Sequence, residues 1–142
     1  MNPISRTAVR EHIFKIIFGM EFSGDADASQ RAALYLDNLT DEEDCPVMIN
    51  DQDREYIIEK SQSISGKLPE IDAVINKHAK GWSVSRLGKA ELAILRVAVY
   101  EILFDDDIPD NVAINEAIEL TKIYGEATAP AFINGILASV KA

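Results

Sequence analysis

The sequence predicts an all-α fold, a single compact domain of about seven helices spanning residues 1–142. Three observations predict it. Apolar residues recur three and four positions apart along most of the chain, the spacing that lines one face of a helix. Alternating apolar and polar runs of the kind that build strands do not persist. Cap and breaker residues, among them Ser5, Gly66, Pro69, Gly81, Gly125 and Thr128, cut the chain into segments of ordinary helix length. At 142 residues the chain is long enough to bury a core without metals or disulfides.

Each element follows from its own pattern. Ser5 suits an N-cap, and the first helix is expected from about Arg6 to Phe22, with Val9, Ile13, Ile17 and Met20 as its inner stripe. Residues 24–28 read as a turn, followed by a short helix around Ser29–Leu39 and an acidic loop, Thr40–Val47, containing Pro46. A third helix is expected at about Asp51–Ile64, with Tyr56, Ile57 and Ile64 facing inward and Gly66 closing it. Pro69 fits the first turn of a fourth, which carries Ile71, Val74 and Ile75 and stops by Gly81. Trp82 follows in a short connector as a packing anchor. The fifth helix, about Lys89–Phe104, is apolar on nearly all sides and belongs at the centre of the fold. The segment 105–109 breaks it. The sixth takes Asn111 as N-cap, Ile114 and Ile118 as its stripe and Gly125 as its stop. Thr128 caps a seventh, carrying Phe132, Ile133, Ile136, Leu137 and Val140.

The formal charge is −10, but it is unevenly placed. Residues 1–15 carry Arg6, Arg10 and Lys15 against Glu11 alone, whereas residues 16–60 hold three basic and twelve acidic side chains. Lys67 to Arg96 is again locally basic, with six basic and three acidic residues. Salt screens charges beyond roughly 8–10 Å, so the local field decides recognition more than the total. One basic face on an acidic body is therefore compatible with the composition. Arg6 and Arg10, four residues apart, share a helix face, and cations near a helix N-terminus oppose its dipole. That mild cost fits an anionic partner, and two solvated arginines at a frayed helix end are the alternative reading.

Several classes are excluded or disfavoured. No stretch approaches the roughly 18 uncharged apolar residues of a membrane span. Arg6 and Arg10 also fall where the apolar core of a signal peptide would begin, so a cytoplasmic location is expected. Cys45 is the single cysteine and lies among carboxylates that disfavour its thiolate. There is no Gly-rich phosphate loop, HExxH, CxxC or GxSxG. His12 and His78 lack partners at metal-ligand spacing, and the acid clusters at Asp41–Asp44 and Asp105–Asp107 do not follow an EF-hand pattern. No enzyme, metal or cofactor can be argued from these residues.

The polar residues within the apolar C-terminal helices are more informative. Arg96 interrupts the most apolar helix, and a buried guanidinium needs a carboxylate. Glu116 and Glu119 on the next helix are its expected partners. Asn115 and Asn134 are candidates to satisfy buried backbone groups between helices. All of these could instead line a partner surface.

The stretch KAELAILRVAVYEILFDDDIPDNVAINEAIELTKIYG, followed by FINGIL, resembles the C-terminal half of the NusB family of bacterial transcription antitermination factors. The start, SRTAVREHIFKIIF, is similar to that family's arginine-rich first helix. The specific signal is an ordered set: Ile94-Leu95-Arg96, Tyr100-Glu101, Ile108-Pro109, Ile114-Asn115-Glu116-Ala117, Glu119-Leu120 and Phe132-x-Asn134-Gly135. Residues 23–66 carry little of the likeness. The resemblance implies a non-enzymatic RNA-binding adaptor that needs no cofactor. Such proteins pair with a small ribosomal protein, NusE, and bind single-stranded boxA RNA, especially in ribosomal RNA operons. They join RNA polymerase elongation complexes with other Nus factors. The resemblance also admits a homodimer, which some relatives form. The alternative functions are a protein-interaction module that has lost RNA contact, consistent with Thr7 and the acidic charge, and an accessory domain beside ribosomal RNA methyltransferases, some of which carry a similar helical domain. The family's RNA-binding arginines correspond here to Arg6 and Arg10, with Lys15 in the same patch. Thr7 stands where a further arginine is often found. Lys67, Lys77, Lys80, Arg86 and Lys89 are candidates to extend the RNA surface, and Phe132 is a candidate at the start of the last helix. A core role for Phe132 is the competing reading.

Overall fold

A computed structural model describes residues 3–22, 27–39, 49–79 and 87–142. All seven expected helices are present, and no strand occurs among the described residues. The chain divides into two compact units, Met1–Gly66 and Lys67–Ala142.

The first unit packs three helices against one another: α1 (Arg6–Met20), α2 (Ala28–Leu39) and α3 (Asp51–Gly66). The Ser5 hydroxyl accepts the Ala8 N–H at 3.0 Å, satisfying one of the orphan donors that open α1. Val9, Ile13 and Ile17 are buried as their spacing requires, together with Phe14 and Ile16, whereas Met20 is half-buried. Helix α2 begins at Ala28 rather than Ser29, because Asp27 acts as the cap: its Oδ1 accepts the Ser29 N–H at 2.8 Å. Ala28, Ala32 and Leu36 form its inner stripe. Helix α3 starts after Asn50, whose side chain accepts the Asp53 N–H at 2.7 Å, and continues through Gly66 rather than stopping before it.

The second unit contains α4 (Leu68–His78), α5 (Lys89–Phe104), α6 (Asp110–Tyr124) and α7 (Ala129–Lys141). Helix α5 touches α4, α6 and α7, and every residue from Leu92 to Val99 is buried. Its place at the centre follows directly from being apolar all round. Pro69 sits in the first turn of α4, where its missing N–H removes no intrahelical bond.

Two expectations for α6 are corrected. Its cap position is Pro109 (φ −61°, ψ 143°), whose carbonyl accepts the Val112 and Ala113 N–H groups. Asn111 therefore lies inside the helix, and its side chain accepts the Lys141 ammonium at 2.8 Å. The buried stripe is Ala113, Ala117, Leu120 and Thr121, with Ile114 and Ile118 only half-buried. Helix α6 contacts both α5 and α7, and small residues at its contact line admit that close approach. Thr128 occupies the cap position of α7 without a side-chain cap bond. The expectations for the acidic loop, Cys45 and Trp82 lie outside the described residues.

Candidate nucleic-acid interface

The N-terminal cations separate once their surroundings are built. Arg6 opens α1, in a first turn that carries no acidic residue. Its side chain is 59% exposed, and its guanidinium is seated from below. Nη2 donates to Oδ1 of Asp53 on α3 at 2.9 Å, and Cζ lies 5.2 Å from the centre of the Tyr56 ring. Asp53 itself is buried, and its second oxygen accepts the Ile4 N–H at 3.0 Å. One carboxylate thus holds both the chain entering α1 and the first side chain of that helix.

Arg10 is placed differently. It is only 8% exposed and lies with Val9, Ile13 and Phe14 on the buried side of α1, so it does not share an outward face with Arg6. Lys15 is half-exposed and forms a helical i,i+4 pair with Glu11 at 3.5 Å. Between them His12 contacts the Tyr35 hydroxyl through Nδ1 at 2.8 Å. Burial lowers the His12 pKa below its ordinary 6.5, Lys15 lowers it further, and Glu11 partly opposes both. The imidazole is therefore held neutral near pH 7 and adds no charge to the patch.

Phe132, on the first turn of α7, is half-buried rather than core; Ile133 beside it takes the core position. Phe132 lines an open pocket of about 440 Å³ together with Leu87, Gly88, Glu91, Glu126 and Thr128. The Glu91 carboxylate accepts the Glu126 N–H at 3.1 Å and fills the space beside Gly88 where a Cβ would stand. Lys67 faces Glu70 at 3.4 Å and the Phe104 ring at 5.2 Å. Lys80 and Arg86 lie outside the described residues.

The polar residues expected to be structural are partly reassigned. Arg96 is buried, as a guanidinium inside α5 must be, but the carboxylate that clamps it belongs to Asp72 on α4. Nε and Nη2 donate to its two oxygens at 2.9 and 2.8 Å, a bidentate fork. Glu119, expected as a partner, pairs instead with Lys122 at 3.1 Å on the exposed side of α6, and Glu116 is half-exposed. Asn115 and Asn134 are exposed, so neither fills a buried gap between helices. They are surface groups because the cores of α6 and α7 are already closed by Ala113, Ala117, Ile133 and Leu137.

The sequence reading missed Asp53 and Tyr56. An acid in the first turn of α3 looks like an ordinary complement to the helix dipole. The signal that could have found it is register: Asp53 shares the buried stripe of α3 with Ile57, Ser61 and Ile64. An acid on a core stripe needs a partner.

The described residues define the class as an all-α helical protein, with Arg6 as an exposed cation seated on Asp53. Comparison with known proteins gives the family. The NusB family model matches residues 7–142, and the chain belongs to the NusB family. It is 42% identical to the transcription antitermination protein NusB of Agathobacter rectalis over 135 residues, covering 95% of this chain and 98% of that protein. The fold superposes on the crystal form of T. maritima NusB with a TM-score of 0.86 at 33% identity, covering 99% of this chain and 92% of the other. A complex of the antitermination factors NusB and NusE with dsRNA contains the same fold (TM-score 0.79, 23% identity, 96% and 95% covered).

Proposed function

We propose that this protein is a transcription antitermination factor, a cytoplasmic, non-enzymatic adaptor. With NusE it binds the single-stranded boxA segment of ribosomal RNA transcripts, and it acts on elongating RNA polymerase with other Nus factors. The observation that carries this reading is the near-complete likeness to curated antitermination proteins, spanning both compact units. No described helix is long and apolar enough to cross a membrane.

Arg6 is the first contact for RNA, because it is exposed, held in place and able to offer a planar donor edge to phosphate or a face to a base. Arg10 supports that contact from below the surface, Lys15 adds charge one turn further along, and Phe132 stacks a base. Few phosphate contacts give modest, salt-sensitive affinity, and a second RNA-binding protein raises it through joint engagement. Thr7, exposed beside Arg6, makes this chain lean on that partner.

The test is fluorescence anisotropy of a labelled boxA RNA at two salt concentrations, with and without NusE. Binding should tighten with NusE and weaken with salt, and Arg6→Glu should weaken it at least tenfold through charge reversal. An RNA affinity that is absent at low salt with NusE present would overturn the reading. Arg6→Glu is preferable to a double substitution with Arg10, since a carboxylate at the buried position 10 would disturb folding.

A further inference from the structure

The seat beneath Arg6 has more parts than an incidental ion pair needs. Asp53 is buried to 3% exposure on α3, yet its carboxylate is directed at two groups of the α1 entrance, the Ile4 N–H and the Arg6 guanidinium. Its own N–H is taken by Asn50, so the first turn of α3 that carries it is fixed. Tyr56, three residues along the same helix, presents its ring to the Arg6 guanidinium. Among the described residues no other side chain engages the guanidinium, so its Nε and Nη1 donors remain for a ligand.

We propose that Asp53 and Tyr56 are positioning residues for RNA recognition: they hold the plane of the Arg6 guanidinium so that one donor edge is offered outward in a fixed orientation. The inference rests on the reading of Arg6 as an RNA contact and deepens it. Its physical basis is preorganisation. A long side chain loses rotamer freedom when it binds, and a side chain already held loses less. Asp53 supplies the hydrogen bond that sets the edge, and the Tyr56 ring sets the face.

The proposal makes a prediction whose sign runs against simple charge counting. Asp53 is a negative charge beside a site for a polyanion, so removing it should tighten RNA binding if charge alone mattered. Positioning demands the reverse. Asp53→Asn keeps the volume but has one acceptor oxygen where the carboxylate has two: with that oxygen on the Ile4 N–H, the amide nitrogen faces Arg6 and cannot accept from it.

The experiment is a double-mutant cycle read by anisotropy of labelled boxA RNA with NusE present. It uses the wild type, Asp53→Asn, Arg6→Ala and the double variant, with circular dichroism melts alongside. Asp53→Asn should weaken binding about fivefold in the wild type and have no further effect once Arg6 is alanine. Tyr56→Leu, which keeps an apolar group at a half-buried position, should behave the same way and carries the cycle if Asp53→Asn folds poorly. Binding that is unchanged or tighter in Asp53→Asn, or a loss of equal size in the Arg6→Ala background, would overturn the positioning role. If Arg6→Ala itself leaves affinity unchanged, the RNA reading of Arg6 fails instead.

Discussion

The two units each contain an arginine paired with an aspartate from another helix, and the pairs are built for opposite ends. In the second unit Asp72 grips Arg96 through two parallel hydrogen bonds, and the arginine keeps only 9% of its side-chain surface. In the first, Asp53 is the buried partner, and Arg6 keeps 59% of its surface. Burying the cation locks α4 onto α5, because a guanidinium inside an apolar helix tolerates no loss of its counter-charge. Burying the anion fixes the start of α1 while leaving the cation outside. Which partner is hidden separates an architectural pair from one available to a ligand.

That contrast can be tested by removing one member at a time. Asp72→Ala removes both oxygens of the fork that holds the buried Arg96 and should lower unfolding free energy by about 3 kcal/mol, measured by urea denaturation at neutral pH. A loss below about 1 kcal/mol would mean that water reaches Arg96 freely and the contrast is overstated. Ser5→Ala removes the cap of the helix that presents Arg6 and should cost about 1 kcal/mol. Arg6→Ala leaves the buried Asp53 carboxylate with the Ile4 N–H alone and should cost about 1 kcal/mol, less than Asp72→Ala because the cation removed is the exposed member, while RNA binding suffers. A stability loss as large as that of Asp72→Ala would make Arg6 an architectural residue after all.

The smallest effect concerns His12, whose folded pKa is lowered while the unfolded chain keeps the ordinary 6.5. The neutral ring's contribution is complete above about pH 6.5 and declines as pH falls from there through the folded pKa, because the unfolded chain binds the proton first. A His12→Gln variant should lose less stability between pH 7.5 and pH 5.5 than the wild type. Equal slopes in the two proteins would remove His12 from the account.

The fold was legible wherever one residue type settles the matter alone. The bounds of α5 follow from an apolar surface all round, the start of α1 from Ser5, and the start of α4 from Pro69. Pairings between helices were not legible, since periodicity says which face is apolar but not which neighbour that face meets. Arg96 illustrates it: both α4 and α6 pack on α5, and only the rotation of the helices decides for Asp72. The site was half legible. Arg6 was found as a cation near a helix start, but Arg10, one turn further into α1, is buried, because four-residue spacing does not say how far neighbouring helices cover each turn. The α6 stripe moved from isoleucines to alanines for a similar reason, as contact with two neighbouring helices favours small residues.

The Glu91 carboxylate has a consequence for how this sequence can drift. It occupies the space a side chain at position 88 would need, but as the far end of a flexible side chain it can swing aside, and the Gly88 φ of −59° suits any residue. A shorter acid at 91 would open that space. A side chain at position 88 therefore asks the carboxylate to move, and what that movement puts at stake is its bond to the Glu126 N–H. A library that varies position 88 alone should admit small residues, at the expense of the tether between the start of α5 and the turn before α7.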